Sequence, residues 1–273
     1  MKQSAADGME MRVPLFMFSE FFNLDIFYPA KRLMNLEFTL NRPAKNLIKQ
    51  PSDTNEYDIV ISNCYLDMSY VTLEESIRRS YYDLIEKEKL IRCISSVREG
   101  HFSLQSGSSV YFLHDISPYG VLPEFVTLLL LPDKRHFGCY DYRFLYSRLD
   151  IESIQLFIDG LPCFLNDRLR NLQLNNMLSP DVSFFYRNFL LAYGGNARFI
   201  SLKTFFTDFF CMSFPLTAMA TGTSRSSLPL IRSGGLNATI TLRSAQSENY
   251  VLIVHSHYNS VVKIDVTGEI LES

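Results

Sequence analysis

The strongest constraint in this sequence is an alternation of apolar and polar residues with a period of two. Residues 236–242 alternate without interruption, and Ile154, Leu156 and Ile158 follow the same pattern. This is typical of strands with one buried and one exposed face. Segments 57–72, 125–131 and 250–254 are instead apolar on both faces, as expected of inner strands that are covered on two sides. The pattern predicts an antiparallel β-sandwich.

The two kinds of strand together predict which side chains form the core. Apolar faces of this kind can be hidden between two packed sheets. We therefore expect these side chains to be buried there: Val126, Leu128, Ile154, Leu156, Ile158, Leu252 and Val254. Gly and Pro residues between the apolar segments supply turns at the short intervals that such a sandwich needs.

Two helices are expected to interrupt the strands. Thr72 followed by Glu75 matches a capping box, and the apolar positions behind it predict a helix over about residues 73–90. The second helix is expected to begin at Ser179, with Pro180 at its first position, and to end at residues 194–195, which are both Gly.

Composition narrows the possible functions. The 273 residues include 26 Lys and Arg against 29 Asp and Glu, which gives a net charge of −3. A protein whose main task is to neutralise nucleic-acid phosphates normally has a basic excess, so direct sequence-specific nucleic-acid binding is not expected. No apolar run is long enough for a membrane helix, and no secretory signal is expected at the first residues.

Cysteine and aromatic usage adds two expectations. The five Cys residues are odd in number and widely spaced, which predicts reduced and mostly buried thiols. There are 22 Phe residues and no Trp, which predicts a large aromatic core or an aromatic interface.

The only pair of histidines at metal-ligand spacing is His255 and His257. On a strand these side chains share one face and could both reach one metal ion, as in a cupin. A cupin site also needs a nearby Glu and a third His, and residues 258–262 supply neither. We therefore expect two structural histidines, and we expect His114 and Asp115 to belong to an ordinary loop. No motif for a nucleophile, a phosphate loop or a zinc protease is present, so we predict no catalytic residue, no cofactor and no metal site.

Several segments, in a fixed order, carry a family resemblance. They are residues 13–16, 33–40, 57–73, 122–126, 154–162, 234–236, 251–254 and 262–265. Their order and spacing resemble the later part of the major capsid proteins of Maverick/Polinton transposons and adintoviruses, which are double jelly-roll proteins. The stretch 154–162 is the most similar to the family, and no single segment is diagnostic alone.

The resemblance implies a structural coat protein that is not an enzyme. It implies an all-β, antiparallel jelly-roll β-sandwich with two short helices inserted. Residues 1–11 would be a disordered N-terminus, 12–56 remnant strands of a first jelly roll with a linker, and 57–273 a complete second jelly roll. Expected partners are other copies, as a homotrimeric capsomer, and other capsid proteins such as a penton protein. The expected location is the virion, or the host cytoplasm or nucleus before assembly.

Two other functions remain open at this point. The first is a host β-sandwich module that binds a sugar or a peptide, because jelly rolls also occur in lectins. The second is a cupin-like metal enzyme that uses His255 and His257.

Overall fold

The computed structural model describes residues 65–67, 71–88, 90–117, 120–133, 149–194, 200–216, 232–264 and 270–272. The helices are α1 (Glu75–Glu88), α2 (Pro180–Tyr193) and α3 (Leu202–Asp208). The longer strands are β1 (Leu90–Leu104), β2 (Val110–Leu113), β4 (Phe125–Pro132), β5 (Ile151–Ile158), β7 (Met212–Pro215), β9 (Leu236–Leu242) and β10 (Tyr250–Ile264). The short strands are β3 (Val121–Leu122), β6 (Leu161–Pro162), β8 (Arg232–Ser233) and β11 (Ile270–Glu272). None of the described helices is long and apolar enough to cross a membrane.

Eight strands form two four-stranded antiparallel sheets. Sheet A has the order β1-β10-β4-β7, and sheet B has the order β2-β9-β5-β6. Along the chain the strands alternate between the sheets, except that β5 and β6 are a hairpin within sheet B. β11 extends sheet A, and β3 pairs separately with β8. This alternation defines an eight-stranded jelly roll, so the predicted fold class is confirmed.

Strand β4 shows how the layers are arranged, because all eight of its residues are buried. Val126 and Leu128 lie on the face that packs toward sheet B, together with Leu252 and Val254 of the neighbouring β10. Thr127 lies on the opposite face, in register with His255. Because successive side chains of a strand point to opposite faces, both sides of sheet A are covered at β4.

The sequence predicted most of this core. Six of the seven expected core side chains are fully buried: Val126, Leu128, Ile154, Leu156, Leu252 and Val254. Ile158 is only partly buried and packs at the margin of the core, because it is the last residue of β5 before the turn. The strands predicted at 125–131, 154–158, 236–242 and 250–254 are confirmed.

The predicted inner strand over residues 57–72 is not seen in its described part. Residues 65–67 and 71–72 are not in a strand, and the side chains of Tyr65 and Val71 are exposed. Residues 57–64 and 68–70 lie outside the described residues. The eight strands of the two sheets begin at Leu90, after α1 rather than before it.

Helix α1 also begins later than the sequence predicted. It starts at Glu75, so Glu75 is not the third residue of a helix capped by Thr72. The Glu75 carboxylate instead pairs with Arg79 at 2.9 Å and with Arg78 at 3.1 Å, one turn along the helix. Ile77 and Leu84, two of the apolar positions behind the predicted cap, are exposed.

Helix α2 follows its prediction closely. The Ser179 hydroxyl oxygen accepts a hydrogen bond from the Val182 amide at 3.1 Å, Pro180 is the first residue, and Gly194 ends the helix with a φ of 56°. The ring of Phe185 contacts the ring of Phe214. At the C-terminal end of the helix, the ring of Tyr193 contacts two histidines on the other face of sheet A. Helix α2 therefore lies across the β7 edge of sheet A.

A hydrogen bond also joins helix α2 to the β7 edge that it covers. Between the contacts of Phe185 and Tyr193, the Asn188 side-chain amide donates a hydrogen bond to the Ser213 backbone carbonyl at 3.1 Å. An unpaired edge strand invites pairing with other chains, and proteins often cover such edges with a helix.

A buried asparagine closes part of the β5 edge of sheet B. The Asn166 side-chain oxygen accepts from the Leu156 amide at 2.8 Å, and its NH₂ group donates to the Leu156 carbonyl at 2.9 Å. This side-chain amide therefore pairs with β5 as the backbone of a neighbouring strand would. The Leu169 carbonyl and the Leu172 amide continue this pairing with β5 further along.

The turn between β5 and β6 depends on Asp159 and Gly160. Both residues have positive φ, 50° and 79°, which is the geometry of a two-residue type I′ hairpin. The Asp159 carboxylate also accepts a hydrogen bond from the Gly235 amide at 2.7 Å, which anchors the turn to the start of β9.

Leu252→Asp is expected to abolish stable folding. Leu252 is fully buried between Phe102 and Leu130, so the variant would bury an unpaired carboxylate at a cost of more than about 4 kcal/mol. Urea or thermal denaturation measures the change. The matched control is Phe112→Asp at an exposed strand position, which should keep stability within about 0.5 kcal/mol. An unchanged melting temperature for Leu252→Asp would refute the assignment of β10 as an inner strand.

Asn166→Ala is expected to lower the free energy of unfolding by about 2–3 kcal/mol, because the Leu156 amide loses its partner in a buried site. Asn166→Asp should be as harmful, since it places an oxygen against the Leu156 carbonyl. Asn176→Ala is the control, because Asn176 makes only an exposed bond to the Leu178 amide. Equal effects at both positions in urea titrations would show that the pairing contributes little.

Candidate functional site: a histidine cluster and two open sheet edges

The two histidines that the sequence singled out lie on β10, on the face of sheet A away from sheet B. His255 is directly opposite Glu99 of β1 on one side and Thr127 of β4 on the other, and Thr127 is opposite Ser213 of β7. A row of four polar side chains therefore crosses the described strands of sheet A. We refer to these four residues, together with His257 two positions along β10, as the polar row: Glu99, Thr127, Ser213, His255 and His257.

Helix α2 contacts the polar row through Tyr193. The Tyr193 hydroxyl is 2.7 Å from Nδ1 of His255, and its ring packs edge-on against the His257 ring at 4.7 Å between centroids. Nε2 of His255 lies 3.5 Å from a Glu99 carboxylate oxygen. His101, two residues along β1, is bonded to the other Glu99 oxygen. Both ring nitrogens of His255 are thus engaged within the protein.

His257 is the more deeply buried of the two histidines. Its Nε2 lies 3.3 Å from the Thr127 hydroxyl, which in turn lies 2.9 Å from the Ser213 hydroxyl. Nδ1 of His257 has no hydrogen-bond partner among the described residues. Burial lowers the pKa of His257 from 6.5 to about 4, and the neighbouring His255 adds to the effect. Burial also lowers the pKa of His255, against the opposing pull of Glu99.

This arrangement supports a structural role more than a chemical one. The described residues contain no group of three His, Cys, Asp or Glu side chains placed to hold a metal ion. The nearby Cys211 thiol is buried, which raises its pKa to about 12, so it is held protonated. Cys163 and Cys211 are both free and buried, as expected for reduced thiols. What the cluster does is fasten α2 onto sheet A.

The other residues that the sequence analysis singled out, His114 and Asp115, lie in local structure at the surface. The Asp115 amide donates a hydrogen bond at 2.8 Å to the side-chain oxygen of Asn237, which lies within β9. Asp115 and His114 follow β2 in an exposed loop, as expected.

Eight aromatic residues form one cluster in and beside the core. Their rings pack edge-on or tilted at centroid distances of about 5–6 Å. The cluster comprises Phe184, Phe185, Tyr186, Phe189, Tyr193, Phe205, Phe210 and Phe214. It joins α2 and α3 to β7, which confirms the expected large aromatic core.

Sheet B, in contrast, exposes large apolar side chains at both of its edges. At β2, Phe112 is 70% exposed and Val110 is also exposed. At the opposite edge, Leu161 of β6 is 70% exposed, and Phe164 just beyond it is 60% exposed. The sequence pattern could not locate these patches, because alternation does not reveal which strands become edges.

The search of solved structures finds viral capsid proteins. The PBCV-1 capsid matches with a TM-score of 0.40 and 9% identity, over 74% of this chain and 55% of that chain. The Sputnik virophage structure matches with a TM-score of 0.34 and 12% identity, over 67% and 39%. The mavirus major capsid protein matches with a TM-score of 0.30 and 12% identity, over 66% and 41%.

These matches are partial and distant. The chain spans between about two fifths and just over half the length of these capsid proteins. No protein-family model matches the sequence, and the search of curated proteins also finds no match. With TM-scores below 0.5, the likenesses by themselves decide neither the fold nor the function.

Stability is expected to fall as the pH is lowered from 6.5 toward 4. His257 is neutral in the folded protein, while in the unfolded chain it takes up a proton near its ordinary pKa of 6.5. Its contribution is therefore fully present above pH 6.5 and is lost by about pH 4, a change of about 3 kcal/mol at 1.4 kcal/mol per pKa unit. Urea titrations between pH 7.5 and 4 measure it.

His257→Gln should flatten this pH dependence, whereas His114→Gln, at an exposed histidine, should not. A profile that keeps its slope in His257→Gln would show that other groups cause the acid sensitivity.

Proposed function

We propose that this protein is a structural coat protein that acts by associating with other copies of itself. The observation that carries the proposal is a jelly roll whose sheet A is covered at its β7 edge while sheet B exposes apolar side chains at both edges. Apolar side chains exposed at uncovered sheet edges favour association.

The interior of the roll suits this role. Sheet A is packed on both faces at β4, and the polar row and the aromatic cluster fix α2 and α3 to the sheet. A subunit of a shell must keep its contact surfaces in fixed relative positions, and a core packed this way provides that rigidity. In this proposal His255 and His257 are structural residues, and the protein is not an enzyme.

The finer part of the proposal rests on the sequence resemblance. We propose that the protein derives from the double jelly-roll major capsid proteins of Maverick/Polinton transposons or adintoviruses. Its partners would then be copies of itself in a trimeric capsomer and a penton protein, and its location the virion or, before assembly, the host cytoplasm or nucleus.

The domain assignment is part of the same proposal. All eight strands of the two sheets lie between Leu90 and Ile264, so earlier residues are not needed to complete this roll. This supports a complete jelly roll within residues 57–273. The assignment of residues 1–11 to a disordered N-terminus and of residues 12–56 to remnant strands of a first roll with a linker rests on the sequence resemblance.

The purified full chain is expected to form species larger than a monomer at tens of micromolar. Light scattering coupled to size-exclusion chromatography gives the mass, and negative-stain images show whether the particles are regular. A homogeneous monomer at that concentration would contradict the coat-protein proposal.

A further inference from the structure

The C-terminal end of helix α2 is held on sheet A by contacts between one tyrosine and two histidines. The Tyr193 hydroxyl is 2.7 Å from Nδ1 of His255, and the Tyr193 ring packs edge-on against the ring of His257. Tyr193 is the last residue of α2, and Gly194 follows it with a φ of 56°. The ends of helices open more readily than their interiors. We call Tyr193, His255 and His257 the latch.

The rest of α2 is held by contacts that do not involve the latch. Phe185 packs against Phe214 of β7 with 5.5 Å between the ring centroids, and both side chains are fully buried. Asn188, nearer the middle of the helix, donates a hydrogen bond to the Ser213 backbone carbonyl. Neither contact includes a titratable side chain. The last turn of α2 can therefore leave the sheet while the earlier turns stay in place.

His257 is poorly placed to carry a proton while Tyr193 covers it. His257 is 3% exposed, its Nε2 lies 3.3 Å from the Thr127 hydroxyl, and its Nδ1 has no partner among the described residues. A protonated imidazole has two N–H donors, so one of them would be buried without an acceptor. For this reason burial lowers the pKa of His257 from 6.5 to about 4.

The surrounding titratable groups do not favour a charge on His257. Strands β4 and β7 contain no titratable side chain, and Arg187 on α2 is exposed to solvent. The titratable groups that face the two histidines of the latch are Glu99 and His101 of β1, Tyr193 of α2 and Cys211 beside β7. The two Glu99 oxygens lie against His255 and His101, and burial holds the Cys211 thiol protonated. His255 itself opposes a second positive charge on His257.

We propose that the latch is a pH-sensitive device: when His257 takes up a proton from solvent, Tyr193 leaves the polar row and the last turn of α2 separates from sheet A. Water then reaches the protonated ring, while the core between the two sheets stays packed. The opening uncovers part of the outer face of sheet A without unfolding the roll. This device does not require the coat function, so the two proposals can fail separately.

Acid favours the open state because that state binds the proton more tightly. The closed state has a His257 pKa of about 4, whereas a hydrated His257 has its ordinary pKa of 6.5. The ratio of open to closed molecules therefore rises about 30-fold between pH 7.5 and pH 5 and approaches about 300-fold below pH 4. Above pH 6.5 the ratio changes no more than about twofold.

Native-state hydrogen exchange of the full chain, followed by mass spectrometry, tests the device. Each exchange rate is divided by the intrinsic rate at its pH, and the series at pH 7.5, 6 and 5 is repeated at several low urea concentrations. The amides of residues 190–194 should lose protection about 30-fold between pH 7.5 and pH 5. Their exchange should hardly depend on urea, because a local opening exposes little surface.

The β4 amides provide the internal comparison. They exchange through unfolding of the whole roll, which also releases His257, so their protection falls with pH as well. Their exchange should nevertheless be slower than that of residues 190–194 at every pH and should accelerate steeply with urea, because global unfolding exposes a large surface. This comparison needs no variant.

Three variants separate the sensor from the contact that it controls. His257→Gln should abolish the pH dependence of exchange at residues 190–194, whereas His114→Gln, at an exposed histidine, should keep it. Tyr193→Phe retains the ring but loses the bond to His255, so it should raise the opening at pH 7.5 by roughly fivefold and still respond to pH.

Three results would overturn the proposal. Exchange of residues 190–194 with the same urea dependence as β4 would show that α2 leaves the sheet only when the whole roll unfolds. A local opening that is equal at pH 5 and pH 7.5 would show that the latch does not respond to acid. A pH response that persists in His257→Gln would show that His257 is not the sensor.

Discussion

The structure depends on the need to cover both faces of sheet A at its centre. β4 has no exposed residue, so sheet B must pack on one of its faces and other groups on the opposite one. The first requirement produces the sandwich. The second is met in part by α2, whose Tyr193 reaches over the polar row to His255 and His257. Helix α2 shields part of one face of sheet A and its β7 edge from water. It therefore stabilises the fold in the same way as the packing of the two sheets does.

Helix α2 covers the β7 edge of sheet A, whereas the β1 edge of the same sheet exposes Val97. On the face of sheet A away from sheet B, the Thr127 and Ser213 hydroxyls are hydrogen-bonded to each other, while Nδ1 of His257 has no partner among the described residues. At the margins of sheet B the same kinds of residue that fill the core, Phe and Leu, face outward at Phe112 and Leu161. Exposed apolar side chains at sheet edges favour association with another chain.

Features set by local periodicity could be predicted from the sequence. The strand at 236–242 and the helix from Pro180 to Tyr193 have the expected bounds, because alternation, the Ser179 cap and the terminal Gly act within a few residues. Contacts between distant residues could not be predicted in this way. Tyr193 and His255 are 62 positions apart in the sequence, so no local pattern predicts their contact. The capping box at Thr72 was wrong, since the helix begins at Glu75, whose carboxylate pairs with Arg78 and Arg79 instead.

The position of β10 in sheet A has a consequence for synthesis of the chain. Among the described strands, β10 alone joins β1 to β4, and it lies at residues 250–264. While the chain emerges from the ribosome, β1 and β4 therefore have no strand between them. β4 lacks this neighbouring strand until residues much later in the sequence have been translated. Contacts this distant in sequence slow folding and leave apolar segments exposed in the meantime. β4 can pair with β7 before that point, but the complete sheet A can form only after β10 has been made.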